Sequence, residues 1–314
     1  MPVIERIQIL VYSFAVASGI VFGVAQPEIS ATLDVAVWPV LALLLVVTFV
    51  HTPLRHMRDS FRDVRFLAAA VVGNFVFLPL VVWLLLQFTP TDPALRLGIL
   101  LVLLVPCTDW FIPFARMGGG DAARAMAFTP LSLLLQFLLL PLYLWLFIGD
   151  GFDATFARTE MLTAFVGLIL LPLVLAVVTQ QAREGSIIHR TTTLLRPLPV
   201  PLLALVVFLI AASQADRVAH DVRAIVPAAI VFVLFLAAAA VLAKGFASAL
   251  RLPPPQARVL AFSFGTRNSF VVLPLALALP AGWELAALVI VFQSLVELVG
   301  MAVYLVIVPR ILFR

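Results

Sequence analysis

Ten runs of about twenty mostly apolar residues, joined by short polar connections, take up most of this chain. They fall at roughly 7–25, 32–51, 66–89, 95–116, 124–148, 161–181, 195–214, 222–243, 257–280 and 285–309. As helices, runs of this length match the hydrocarbon thickness of a bilayer, about 30 Å. In lipid, every backbone N–H and C=O must be satisfied within the protein, so spanning segments are helices or closed barrels. The alternating ten-residue segments of a barrel are absent. At 64% hydrophobic and 11% charged over 314 residues, the chain is too apolar for a soluble domain of this size. The expectation is an all-α membrane protein, one transmembrane domain over residues 1–314. The N-terminal stretch, with Glu5 ahead of its apolar run and no clear cleavage site, reads as the first retained helix. The pI near 10.0 is read as topology and not as nucleic-acid binding.

Charge in the connections predicts orientation. Of the 20 Lys and Arg residues, 15 fall on one side of the runs. Four (Arg96, Arg158, Arg217 and Arg223) fall on the other, and Arg267 lies inside a run. The positive-inside rule then puts both termini in the cytoplasm, with the plasma membrane as the expected location. Ten spans divide into two units of five, roughly 1–150 and 151–314, and the second unit must be inverted relative to the first. Inverted repeats with discontinuous helices are a recurring plan of secondary transporters.

Two runs are interrupted by polar residues. Pro106-Cys107-Thr108-Asp109-Trp110 breaks the fourth and Gly265-Thr266-Arg267-Asn268-Ser269 the ninth. Each has a Thr followed by a charge, and the two Thr are 158 residues apart (266 − 108). Pro106 and Pro113 each lack a backbone donor, Gly265 loosens the ninth run, and the freed backbone groups can hold a solute. Helices 4 and 9 are thus expected to be discontinuous and to cross. Cys107, Thr108, Asn268 and Ser269 are the candidate substrate-binding residues. Charges inside a membrane mark transport paths, relays or buried pairs. Asp109 and Arg267 could pair and only fix the crossing. Alternatively, Arg267 supplies a fixed positive charge where a sodium ion could otherwise bind.

Of the 16 acidic residues, 14 lie in or near connections or run ends, leaving Asp109 and Glu297. A carboxylate in an apolar helix suits proton uptake and release, so Glu297, with Asp109, is the candidate coupling group. Cys107, the sole cysteine, excludes an intrachain disulfide and an all-cysteine metal site. Beside a helix break it suits a soft, thiophilic species. Thr129 and Ser132 are supporting polar residues on the fifth run, and Gln136 and Gln293 are also mid-run. All four could hold solute or simply bond between helices. Gly118-Gly119-Gly120 with Asp121 reads as a turn and helix N-cap. No phosphate-cradling, zinc-protease or nucleotide-binding motif is present, and neither a cofactor nor a metal is expected.

The stretch Pro106 to Asp121, PCTDWFIPFARMGGGD, resembles the fourth span of the arsenical-resistance permeases, which have Cys-Thr here, then an apolar run and a Gly-Asp turn. Ser294 to Glu297, SLVE, resembles that family's Leu-Val-Glu in the last span. The resemblance implies that Cys107 and Glu297 are the residues essential for transport. The wider superfamily is the bile acid/sodium symporter type, implying ten spans with spans four and nine crossing. The chain has Ser263 where the sodium symporters are acidic and Arg267 where they have glutamine. Asp109 and Trp110 differ from the small or apolar residues usual in the arsenite family. The expected partner is therefore a small solute, with the proton in place of sodium as coupling ion. The leading expectation is proton-coupled efflux of arsenite or a related trivalent metalloid. The alternative is a symporter or exporter of a small organic anion, held by Arg267. An enzyme is not expected, since no catalytic pair is visible.

Overall fold

The computed structural model describes residues 3–51, 63–108, 110–148, 166–181, 186–195, 197–213 and 215–314. Helices account for all of its regular elements there. They are α1 (Val3–Ala25), α2 (Pro27–His51), α3 (Val64–Leu86), α4 (Pro93–Leu104), α5 (Phe111–Met117) and α6 (Ala122–Ile148). Then follow α7 (Leu171–Gln180), α8 (Ile187–Leu195), α9 (Pro199–Ser213), α10 (Ala215–Ala249), α11 (Pro254–Gly265), α12 (Ser269–Leu277) and α13 (Glu284–Ile307). Wider π-helical turns interrupt α3 at Gly73–Phe77, precede α7 at Val166–Leu170 and end α13 at Val308–Leu312.

Local sequence explains where these helices begin. Pro93 and Pro254 start α4 and α11, at the position where a missing N–H costs nothing. Carboxylate side chains cap α3, α4 and α6. Asp63 accepts from the Phe66 N–H (3.2 Å), Asp92 from Leu95 (2.8 Å) and Asp121 from Arg124 (3.2 Å). The glycine turn before Asp121 needs its middle residue, since Gly119 has φ +71°.

Among the described residues, four helices are long and apolar enough to cross a bilayer by length and composition: Val64–Leu86, Ala122–Phe147, Val226–Ala249 and Glu284–Leu312. Shorter apolar helices cover Val35–Val50, Pro93–Leu104 and Pro199–Ser213. Leu138, Val241 and Val299 are 73%, 70% and 68% exposed. Such outward-facing aliphatic side chains belong against lipid, not water. Packing divides the helices into two groups. In one, α9 lies between α1 and α2, and α7 lies against α2. In the other, α13 packs along α4, α10 and α12, and α6 packs on α4, α5 and α11.

Two features of the first half recur in the second at a constant offset. Helix α4 and helix α11 begin at 93 and 254 and end at 104 and 265, 161 residues apart at both ends (254 − 93 and 265 − 104). Tyr143 donates its hydroxyl to the Phe75 carbonyl, and Tyr304 does the same to Leu236 (2.5 Å each), so both members of the pair are shifted by 161. Equal residue types suggest 158, which is three residues out of register. The fold aligns positions in the break, so Thr108 corresponds to Ser269 and Pro106 to Arg267. Gly265 is not itself a break, since it is the last residue of α11 and the chain leaves the helix at Thr266.

Candidate functional site

Both interruptions are breaks in the backbone. The chain is extended at Val105, after α4, and at Thr266, after α11. The two extended stretches meet antiparallel, with Pro106 opposite Arg267. The Cys107 N–H donates to the Thr266 carbonyl (3.2 Å) and the Asn268 N–H to the Val105 carbonyl (2.8 Å). A shift of 161 exchanges these two bonds, so a local two-fold axis passes through the crossing. Breaking a helix in lipid strands backbone groups, and here each break satisfies the other.

Side chains then tie the crossing to neighbouring helices. The Asn268 amide caps α12 by accepting from the Val271 N–H (3.4 Å) and donates to the Thr108 hydroxyl (3.1 Å). The Ser269 hydroxyl donates to Gln293 (2.6 Å), and the Gln293 amide donates to Glu297 Oε2 (2.7 Å). The same oxygen accepts from the backbone N–H of Arg267 (2.8 Å). Helix α13 thus places its carboxyl group on the broken backbone itself.

The Arg267 side chain runs the other way. Its Nη2 donates to the Phe264 carbonyl (2.6 Å), an end carbonyl of α11, and to Asn74 Oδ1 (3.3 Å). Its guanidinium lies 4.8 Å from the centroid of the Phe235 ring, a cation–π contact. Asn74 also donates to the Ala70 carbonyl (3.1 Å) and the Ser263 hydroxyl (3.0 Å). The π-turn of α3 carries Asn74, and such turns are frequent at functional sites. Arg267 is 3% exposed, and its Nε and Nη1 have no hydrogen-bond partner.

Cys107, Trp110, Arg267, Asn268, Ser269, Ser294 and Glu297 line one small cavity at the crossing. Its open space of about 10 Å³ is room for about one water molecule. Five residues picked out in the sequence therefore meet at one place: Cys107, Arg267, Asn268, Ser269 and Glu297. Thr108 lies beside it, bonded to Asn268. Thr129 and Ser132 are buried but do not line the cavity, and the Thr129 hydroxyl donates within its own helix to Ala125 (3.0 Å). Asp109, and with it the Asp109–Arg267 pairing, lies outside the described residues. Asn74 escaped the sequence reading; a lone amide next to a glycine inside an apolar run was the available signal. Among the described residues, no cluster of three or more His, Cys, Asp or Glu side chains could hold a metal ion.

Crossed, broken helices inside a bundle of apolar helices define a multi-pass membrane protein of the transporter class. The family model of the Sodium Bile acid symporter family matches residues 38–221, more than half of the chain, including the first break. The chain belongs to that family, and is a symporter of the sodium/bile-acid type or a related transporter. No curated protein matches it.

Proposed function

We propose that this chain is a proton-coupled secondary transporter that exports arsenite or a related trivalent metalloid by alternating access. The carrying observation is that Cys107 and Glu297, from opposite halves of the chain, line one cavity. In this reading ten spans form two inverted five-helix repeats in the plasma membrane, with both termini cytoplasmic. The 161-residue recurrence and the antiparallel crossing support the repeat, and the loop charges support the orientation.

Arsenous acid is uncharged at neutral pH and enters the crossing from the cytoplasm. The Cys107 thiol replaces one of its hydroxyls. An As–S bond forms, an As–O bond breaks, and the thiol proton leaves with the hydroxide as water. A single thiolate makes this hold reversible, and Asn268 and Ser269 bond the remaining hydroxyls. Glu297 takes up and releases the coupling proton. Arg267 serves as the built-in cation of the site. Its partners, Asn74 Oδ1 and the Phe264 carbonyl, are oxygens of the kind that ligate hard cations, so a bound sodium ion is not needed.

Expression in arsenite-sensitive cells tests the assignment. The wild type should confer resistance, and Cys107→Ala and Glu297→Gln should abolish it at equal membrane abundance. Full resistance from either variant rejects this mechanism. The unpartnered Nε and Nη1 of Arg267 favour a second reading, transport of a small organic anion. Labelled carboxylate uptake that disappears in Arg267→Ala would favour that reading instead.

A further inference from the structure

The offset of 161 gives each residue around the second break a counterpart around the first. Ser269, Gln293, Glu297 and Arg267 correspond to Thr108, Ser132, Gln136 and Pro106. In the second half the four are bonded in series, ending on Glu297. In the first half none of the corresponding bonds forms. Pro106 has no N–H to donate where Arg267 donates to Glu297. The Ser132 hydroxyl and both amide atoms of Gln136 have no hydrogen-bond partner, although Ser132 is 0% exposed and Gln136 1%. The two side chains are one helical turn apart on the same face of α6. Leaving a buried polar atom unpaired is costly, and three on one face need an explanation.

The geometry points to a second subsite on this face of α6, where Ser132 and Gln136, with the Thr108 hydroxyl, bind an uncharged solute carrying several hydroxyl groups. It rests on the transport reading above and names how the substrate is recognised away from the thiol. None of the three side chains is charged. Gln136 offers two N–H donors and a carbonyl acceptor, and Ser132 offers one O–H donor and an acceptor oxygen. A carboxylate cannot donate and would leave the Gln136 carbonyl oxygen unpaired. A metal cation cannot accept and would leave its N–H groups unpaired. A protonated oxyacid does both. The first half thus holds the neutral solute, and the carboxyl group of the second half handles the proton.

Isothermal titration of the full chain in lipid nanodiscs at pH 7 tests this with two probes, sodium arsenite and boric acid. Boric acid is a neutral trihydroxy acid that does not bond thiols. The wild type should bind both. Cys107→Ser should lose arsenite affinity at least tenfold and keep boric acid. Ser132→Ala/Gln136→Leu should lose at least tenfold for both, with no fall in unfolding temperature, because it removes unpaired groups. If the double variant does not fold, Ser132→Ala alone should still weaken boric acid at least threefold. Wild-type affinity for boric acid in the Ser132→Ala/Gln136→Leu or Ser132→Ala variant overturns the subsite, as does a wild type that binds neither probe. A wild type that binds boric acid but not arsenite, with the loss in the double variant, upholds the subsite and rejects the arsenite reading.

Discussion

Gly73→Ala is a one-methyl change that should disable both the fold and the site. A Cβ on Gly73 would lie 1.8 Å from Phe264 Cζ and 2.6 and 2.7 Å from the two adjacent ring carbons. Ordinary carbon contacts are about 3.5–4.0 Å, so the ring would have to move by roughly 2 Å. It has nowhere to go. Phe264 is fully buried, and its ring stands edge-on to Phe246 at 6.0 Å and 89°. Overpacking of this kind costs about 3 kcal/mol. The damage also reaches the crossing, because the Phe264 carbonyl and the adjacent Asn74 are the partners of Arg267 Nη2. The three nearest atoms are distal ring carbons, which leucine lacks. Phe264→Leu alone should be mildly destabilising, yet in the double variant it should recover most of the Gly73→Ala loss, a coupling that a double-mutant cycle isolates. Thermal unfolding of the purified protein in detergent reads the four variants. Wild-type stability in Gly73→Ala, or simple additivity in the double variant, refutes the close approach of α3 to α11.

Tyr143→Phe and Tyr304→Phe each remove one bond to a helix carbonyl and should each cost about 1 kcal/mol, equally and additively, in the same assay. Asp63 caps α3 and accepts from Arg124 Nε (3.0 Å) and Gln256 (2.9 Å) at the cytoplasmic end proposed here. Burial pushes its carboxyl up, but the Phe66 N–H, Arg124 and Gln256 outweigh this and hold it below the ordinary value of 3.8. A depressed carboxyl stabilises the fold above its unfolded value and loses that contribution as pH falls through its folded value. Asp63→Asn keeps a capping oxygen and removes the charge, so it should cost about 0.5–1 kcal/mol at pH 7, a gap that closes in unfolding scans below pH 3.8. Arg267→Gln removes the built-in cation and should make vesicle flux depend on sodium. An equal response of wild type and variant to replacing sodium with choline counts against that role.

The apolar runs were legible because lipid imposes one rule on every backbone group, and the described helices overlap those runs, except α8, which forms in a stretch expected to be a polar connection. Both breaks were legible because Pro106, Arg267 and Asn268 have no place inside an uninterrupted membrane helix. The register between the halves was not. Matching Thr108 with Thr266 compares side chains, whereas the fold pairs backbone positions, Pro106 with Arg267. Asn74 was hidden because its importance comes from α11, 189 residues away at Ser263. Glu297 was conspicuous as a carboxylate, but that it accepts from the backbone of Arg267 depends on how α13 packs beside α12.

Arsenite accumulation in everted membrane vesicles tests proton-coupled efflux through Glu297. With a proton gradient imposed, wild-type vesicles should accumulate arsenite, a proton uncoupler should abolish it, and sodium should not matter. Vesicles with Glu297→Gln should accumulate none. Accumulation that survives the uncoupler, or that persists in Glu297→Gln, contradicts the account.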